Sequence, residues 1–218
     1  MKKVLLSLLP VLWLGIVKPA VAQVYTASDP LAHTYSIVAR DPQTGDFAVA
    51  VQSHWFSVGT SVSWAEAGVG AVATQSFTNK SFGPRGLALL KSGKSAQEAL
   101  DELLRTDEGR DVRQVAIVDN QGRVATHTGA KCIDMAGHRQ GSQFSVQANM
   151  MLNNTVPAAM QKAYEQNAKL PFAERVVSAL QAAQAAGGDI RGRQSAALLV
   201  VRAKATDAPG PTASLTCA

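Results

Sequence analysis

The chain has 218 residues, 46% of them hydrophobic and 17% charged, which suits one domain with a buried core. Its formal net charge of +5 overstates its basic character, because Lys2, Lys3 and Lys18 lie in the first 22 residues and leave 18 basic against 16 acidic residues. A net charge of +2, without a basic stripe and interleaved aromatic residues, argues against a nucleic-acid or anionic-membrane partner.

Residues 1–22 have the pattern of an export signal. Lys2 and Lys3 precede an apolar run over residues 4–17, and Ala20-Val21-Ala22 is a small-residue cleavage site. The run is shorter than the roughly 20 residues that a membrane span needs, so we expect no stable membrane insertion. The alternative is an uncleaved anchor. We predict cleavage after Ala22, a lead-in segment over residues 23–33, and a bacterial protein that is periplasmic or secreted.

The periodicity of the remaining chain predicts seven strands and four helices. A Pro42-Gln43-Thr44-Gly45 turn joins the first two strands, and Ser95 with Glu98 has the spacing of a helix capping box. The predicted strands span residues 34–41, 46–54, 69–76, 112–119, 123–128, 143–149 and 194–203. Three predicted helices span residues 83–91, 157–167 and 171–186, and a fourth begins at Ser95 with an apolar stripe of Ala99, Leu100, Leu103 and Leu104. Residues 56–68 are predicted to form a loop or short strand.

This order of elements predicts an α+β fold in one domain over residues 34–204. Runs of strands separated by helix pairs favour two stacked, mainly antiparallel sheets with the helix pairs outside. Residues 205–218 are predicted to form a flexible C-terminal tail. A sandwich without activity would give the same order, so topology alone does not decide the function.

Several blocks of sequence, in order along the chain, resemble the family called domain of unknown function 1028. The resemblance covers about residues 34 to 203. The blocks are Thr34-Tyr-Ser-Ile-Val-Ala-Arg-Asp, Ala50-Val-Gln-Ser-His-Trp-Phe, Ala67-Gly-Val-Gly-Ala-Val-Ala-Thr-Gln, Phe82-Gly-Pro-Arg-Gly, Val146-Gln-Ala-Asn-Met and Gly187-Gly-Asp-Ile-Arg-Gly-Arg-Gln-Ser-Ala-Ala-Leu. That family is placed with the N-terminal nucleophile (Ntn) hydrolases, so the resemblance implies a four-layer αββα sandwich and suggests an amidohydrolase.

Thr34 is the candidate nucleophile that the resemblance implies. In Ntn hydrolases the attacking hydroxyl belongs to the first residue of the mature chain, and its α-amine, with an ordinary pKa of about 7.7 to 8.0, serves as the base. Signal cleavage would leave Gln23 first, with eleven residues ahead of Thr34. Activity therefore needs a second cut between His33 and Thr34. The alternative is that Thr34 is an ordinary first residue of a strand.

Two asparagines and an arginine are candidates for holding the substrate. Asn79 follows the third strand and Asn149 ends a later one, and either could donate a hydrogen bond to an oxyanion. Arg85 begins a helix, where a cation beside the helix N-terminus suits a carboxylate. Turn, cap and solvated surface roles are the alternatives for these three residues.

The ends of two further strands carry polar residues that are candidates for substrate binding. Ser53 and His54 end the second strand but point to opposite faces, so they cannot both face one site. Asp189, Arg191 and Ser195 lie in a Gly-rich segment at the start of the last strand, which we expect to neighbour the first strand. A structural turn with a surface ion pair is the alternative.

No metal site or cofactor is predicted. His127 and His138 are too far apart in the sequence to match the ligand spacing typical of a metal site. Cys132 and Cys217 could form one disulfide in an oxidising compartment or remain thiols.

Two functions remain open from the sequence. The first is an exported hydrolase that acts on small amide or peptide bonds, with a small molecule or peptide as its substrate. The second is a non-catalytic periplasmic ligand-binding or envelope-associated protein with the same fold. A pilus-like polymer would need a long apolar helix or donor strand, and residues 23–33 are too short and polar for either. A homo-oligomer is expected on base rate alone.

Overall fold

The computed structural model of the chain describes residues 34–205, together with the backbone of residues 31–32 and 213–217. The predicted export signal and most of the lead-in lie outside the described residues. The elements are β1 (Leu31–Ala32), β2 (Thr34–Arg40), β3 (Phe47–Ser53), α1 (Gly59–Val62), β4 (Ser63–Glu66), β5 (Gly70–Phe77), α2 (Phe82–Lys91), α3 (Ala96–Arg105), β6 (Arg113–Asp119), β7 (Val124–Thr128), β8 (Gly137–Gly141), β9 (Phe144–Ala148), α4 (Val156–Gln166), α5 (Phe172–Ala185), β10 (Ser195–Val201) and β11 (Ala213–Cys217).

The strands form two antiparallel sheets. The first sheet has the order β1-β5-β6-β7, with β4 also paired to β5. The second sheet has the order β11-β10-β3-β2-β9-β8. The chain passes from the first sheet to the second between β1 and β2. Strand β1 pairs with β5 in the first sheet, and β2 pairs with β3 in the second.

Three apolar layers hold the sheets and helices together. On β2, Ile37 and Ala39 pack toward α4 and α5, whereas Val38 packs between the two sheets. A third cluster, which includes Val72 and Leu103, joins the first sheet to α2 and α3. The predicted α+β sandwich with helix pairs outside two stacked sheets is therefore confirmed.

Local sequence signals account for the turns that frame these layers. Ser95 Oγ accepts from Glu98 N at 3.3 Å, and Glu98 Oε2 accepts from Ser95 N at 2.7 Å, so the predicted capping box begins α3. The turn between β2 and β3 closes through Asp41, whose Oδ1 accepts from Gln43 N at 3.1 Å. Gly45 adopts φ 78° there, a left-handed conformation that favours glycine.

The structure also differs from the sequence predictions. Strand β10 pairs with β3 rather than with β2, so the last predicted strand does not neighbour the first. Strands β1 and β8 were not predicted, and neither was β11, which pairs with β10 within the tail; the flexibility of that tail stays a prediction. Within residues 34–205 and the short flanking strands, no helix is long and apolar enough to span a bilayer.

Candidate functional site

Three hydroxyl residues lie side by side where the second sheet faces the first. Thr34, Ser53 and Ser195 occupy one register across β2, β3 and β10. Their exposed fractions are 0%, 0% and 5%. They share the face of Val38 and Val51, because alternate residues of a strand point the same way. One end of the space between the sheets is therefore lined by hydroxyl groups.

Thr34 is held by its carbonyl group while its hydroxyl is left without a partner. Thr34 O accepts from Asn149 N at 3.0 Å, from Gln75 Nε2 at 3.2 Å and from Asn149 Nδ2 at 3.4 Å. Thr34 Oγ1 has no hydrogen-bond partner among the described residues. A buried hydroxyl without a partner costs stability, and such groups in a native structure call for a functional explanation.

Gln114 on β6 is the hub of the hydrogen bonds around Thr34. Its Nε2 donates to Ala148 O at 3.0 Å and to Gly137 O at 3.2 Å, and these two carbonyl groups fix which way its amide points. Gln114 Oε1 then accepts from Gln75 Nε2 at 2.7 Å and from Asn149 Nδ2 at 2.9 Å. The orientation of both neighbouring amides follows, because each must present its NH2 group to Gln114.

The hydrogen-bond chain continues between the sheets through neutral groups. Gln75 Oε1 accepts from Ser36 Oγ at 2.6 Å, and Ser36 Oγ accepts from Gln147 Nε2 at 2.6 Å. Tyr35 points to the opposite face, where its hydroxyl donates to Gln184 Oε1 at 3.1 Å and burial raises its pKa far above the ordinary value. The described groups bonded to Thr34 are amides, so none of them is a base near pH 7.

Asn149 contacts Thr34 through both its backbone and its side chain, and its predicted role as an oxyanion donor stays a prediction. Both of the donor bonds of its side chain end on Gln114 Oε1 and Thr34 O. Its Oδ1 is buried and has no partner within the described part of the chain. The side chain is thus arranged to accept a further hydrogen bond, whereas an oxyanion would require a donor.

Asp189 fastens two loops to the end of β3. Its carboxylate is fully buried and accepts from His54 N at 3.1 Å, from Arg191 N at 2.9 Å and from Arg191 Nη2 at 2.7 Å. Residue Met151 also forms a β-bridge with Asp189, which joins the loop after Asn149 to the same anchor. Asp189 and Arg191 therefore pair with each other and shape the rim next to Thr34.

The other predicted residues divide between this rim and the outer helix layer. The His54 side chain is exposed just beyond the end of β3, whereas the Ser53 side chain is buried. Ser195 Oγ accepts from Val58 N at 3.0 Å and donates to Trp55 O at 2.5 Å, which fixes the loop after β3.

Asn79 and Arg85 belong to the helix layer outside the first sheet. Asn79 Oδ1 accepts from Ser81 N at 3.1 Å and forms the turn before α2. Arg85 donates to Thr106 Oγ1 at 3.3 Å and lies over the Phe82 ring. The structure does not bring these two residues into the network around Thr34, and their predicted roles stay predictions.

The glutamines are the site residues that the sequence analysis missed. Gln75, Gln114 and Gln147 each occupy an inward position of a strand whose other inward positions are small, apolar or hydroxyl residues. Each of three separate strands carries a glutamine at an inward position near one end. Because the interior between sheets seldom holds an isolated amide, this repetition could have indicated the site from the sequence.

A cleft and a thiol lie away from this network. The cleft, of about 580 Å³, is lined by Asp41, Lys169, Phe172 and Arg175 among others, at the far end of β2, roughly 20 Å from Thr34 along the strand. Cys132 is a free thiol, and burial raises the pKa of that thiol. The side chain of Cys217, its partner in the disulfide considered from the sequence, lies outside the described residues. In the described part of the chain, no three His, Cys, Asp or Glu residues are grouped to hold a metal ion.

Comparison with known proteins gives a family for the chain. The model of the family of unknown function DUF1028 matches residues 34–216. A crystal structure of a protein from Silicibacter pomeroyi, assigned to the same family, is similar at a TM-score of 0.75 and 31% sequence identity, over 84% of this chain and 76% of that one. No curated protein matched the chain. The match begins at Thr34, the first residue of β2, and the chain belongs to the DUF1028 family.

Proposed function

We propose that the chain is the precursor of an exported Ntn-type hydrolase that acts on small amide or peptide bonds, with Thr34 as the nucleophile. One observation carries the proposal: the hydroxyl of Thr34 is buried between the sheets with no partner among the described residues, while the carbonyl of the same residue is held by three hydrogen bonds. A positioned but uncommitted hydroxyl is what a nucleophile requires.

The base in this proposal is the α-amine of Thr34 itself. The described groups bonded to Thr34 are amides that do not titrate, so a side-chain base is not available from them. A free α-amine has an ordinary pKa near 8 and lies within reach of its own hydroxyl. The amine exists only after the bond between His33 and Thr34 is hydrolysed.

That cut can use the same hydroxyl. Thr34 Oγ1 attacks the carbonyl carbon of residue 33, and the hydroxyl proton passes to the Thr34 nitrogen as the C–N bond breaks. The acyl group is left on oxygen as an ester, and the nitrogen becomes the free amine. Water then hydrolyses the ester and releases the lead-in as a carboxylic acid. On an external amide, Oγ1 attacks the carbonyl carbon and gives its proton to the Thr34 amine. The leaving amine of the substrate takes that proton as the C–N bond breaks, and water then hydrolyses the ester that remains.

Asn149 has a defined part in this chemistry. Its Oδ1 is the second buried atom without a partner beside Thr34, and a newly formed amine supplies the N–H donors that such an acceptor lacks. A hydrogen bond from the Thr34 amine to Asn149 Oδ1 would orient the lone pair of the amine nitrogen toward the Thr34 hydroxyl. Asn149 is thus assigned to hold the amine rather than the oxyanion.

Paired variants of Thr34 test the proposal. Thr34→Ala removes the hydroxyl and is expected to leave the lead-in attached and to abolish hydrolysis of an amide and peptide substrate panel, since the nucleophile is lost. Thr34→Ser keeps a hydroxyl and is expected to retain processing at a reduced rate. Intact mass reports processing, and circular dichroism checks that both variants fold. Equal hydrolysis by the folded Thr34→Ala variant would contradict the proposal.

A non-catalytic ligand-binding protein is the second candidate. It is favoured by the sequence, because signal cleavage after Ala22 would leave eleven residues ahead of Thr34, and its nitrogen is an amide and no base as long as they stay attached. This candidate expects an uncut lead-in and no hydrolysis by any variant, so the same mass measurement separates the two functions.

A further inference from the structure

Strand β1 occupies an edge of the first sheet immediately before the candidate nucleophile. Leu31 lies opposite Phe77 and Ala32 opposite Ser76, in an antiparallel pair with β5. On the same edge, β4 covers only residues Gly70 to Ala73 of β5. If the lead-in left after a cut before Thr34, the edge of β5 beyond Ala73 would lie open beside Thr34.

We infer that the acyl side of the substrate binds along this open edge of β5 as a short antiparallel strand, in the place that β1 holds in the precursor. The inference rests on the proposed function. In the first reaction the acyl carbon belongs to residue 33, which directly follows β1. The same Thr34 hydroxyl attacks later substrates, so their acyl carbon must reach the same point, and the chain leading to it can follow the path of β1.

The open edge is fixed in position by bonds that do not involve β1. Phe77 O accepts from Arg113 Nη1 at 2.6 Å, and Arg113 is itself held by a buried ion pair with Asp107. Ser76 O accepts from Thr78 Oγ1 at 3.3 Å. The strand end next to Thr34 therefore keeps its geometry when its neighbour on the edge changes.

This assignment names the substrate class. Strand addition to a sheet edge gains its affinity from main-chain hydrogen bonds, so it requires consecutive peptide groups on the acyl side. The substrate would be a peptide with at least three residues before the bond that is cut, two in the place of β1 and a third that carries the acyl carbon. A simple amide of one small acid, which lacks those peptide groups, would be a poor substrate.

The test measures binding of the acyl product. The probe is a fluorescently labelled peptide with the sequence Asp-Pro-Leu-Ala-His and a free carboxylate, which copies residues 29–33. Its matched control carries methyl groups on the Leu and Ala backbone nitrogens, which removes the strand donors and keeps every side chain. Fluorescence anisotropy gives the dissociation constant of each peptide for the processed chain, whose N-terminus is first verified by mass.

The expected result is binding that weakens about tenfold or more on methylation, because strand pairing depends on main-chain donors. The uncut Thr34→Ala chain is expected to bind neither peptide, because its own β1 still covers the edge. Equal binding of both peptides to a processed chain, or no binding of either, would overturn the strand site and leave the proposed function intact. An uncut wild-type chain would overturn the proposed function, and this inference with it.

Discussion

Gln114 shows how one neutral residue can organise a site. Its amide bonds to two backbone carbonyls on one side and to the amides of Gln75 and Asn149 on the other. The backbone thereby sets the direction of the two side-chain hydrogen bonds that end on Thr34 O. Thr34 is positioned by neutral groups whose protonation does not change over the physiological pH range.

Removing Gln114 should therefore cost far more than removing an exposed glutamine. Gln114→Ala leaves buried donors and carbonyls without partners, and we expect the free energy of unfolding to fall by about 2–4 kcal/mol. Gln97 on α3 is the matched control, because it is exposed and bonds only to Asp101 at 2.8 Å; Gln97→Ala should change stability by less than about 0.5 kcal/mol. Urea unfolding measures both. Similar losses in the two variants would argue against the hub role.

Asn149 offers a prediction about rate rather than stability. Asn149→Ala removes the unpartnered acceptor, and we expect release of the lead-in to slow by about tenfold to a hundredfold, as loss of one strong hydrogen bond would cause. Gln147→Ala is the control, because the Gln147 side chain lies in the same network but bonds to Ser36 and Ser145. Mass spectrometry over time gives both half-times. Equal slowing would mean that Asn149 acts only through the network.

Single residues also set the limit of what the sequence could tell. Thr34, Ser53 and Ser195 were identified at strand ends, and the structure places them in one register row. Asn149, which bonds to Thr34, was also a candidate, but Gln75 and Gln114 were not foreseen, because an inward glutamine is recognisable only when the pairing of the two sheets is known. The local sequence pattern predicts the sheet face on which a side chain lies, whereas the packing of the two sheets decides which residues it contacts.

At the scale of elements, the end of β5 is held by an ion pair from the loop after α3. Arg113 Nε lies 2.7 Å from Asp107 Oδ2, and the two side chains are only 7% and 11% exposed. Burial alone would raise the pKa of Asp107, but the hydrogen bonds and charge of Arg113 outweigh it and hold that pKa below its ordinary value. The folded state thus favours the ionised carboxylate.

This pair predicts a pH dependence of stability. Because the pKa of Asp107 is lower in the folded state, its ionised carboxylate stabilises the fold fully when the pH is above the unfolded-state pKa of about 3.9. That contribution to the free energy of unfolding is lost as the pH falls through the folded-state pKa. Asp107→Asn should lower the free energy of unfolding by about 3 kcal/mol at pH 7 and show a smaller further loss at pH 3 than wild type.

The control for this experiment is Asp111→Asn. Asp111 pairs with Lys131 at 3.5 Å, and both side chains are more than half exposed, so the change should stay within about 0.5 kcal/mol. Urea midpoints at pH 7 and pH 3 give the comparison. A wild-type and an Asp107→Asn chain that lose equal stability on acidification would contradict the assignment.

Elements with strong local signals were predicted, and elements made by pairing were not. The capping box of Ser95 and Glu98 begins α3 where the sequence placed it. Strand β8 reads Gly-His-Arg-Gln-Gly, which has no apolar alternation, and it exists because it pairs with β9 at the edge of the second sheet. Such strands owe their conformation to a neighbour, so the local sequence does not reveal them.

For the molecule as a whole, the two sheets have different parts in the site. The second sheet carries the hydroxyl row, while the first sheet supplies Gln75 and Gln114 from across the interface. The chain reaches Thr34 by crossing from the first sheet to the second. A cut at this crossing would free the amine of Thr34 and the edge of β5 at the same time.

The N-terminus of the protein exported by its native host tests this account most directly. Intact mass and N-terminal sequencing should find Thr34 as the first residue, which supplies the free amine that the mechanism requires. A chain that begins at Gln23, after signal cleavage alone, would leave Thr34 with an amide nitrogen. That result would contradict the nucleophile assignment and favour the non-catalytic binding protein.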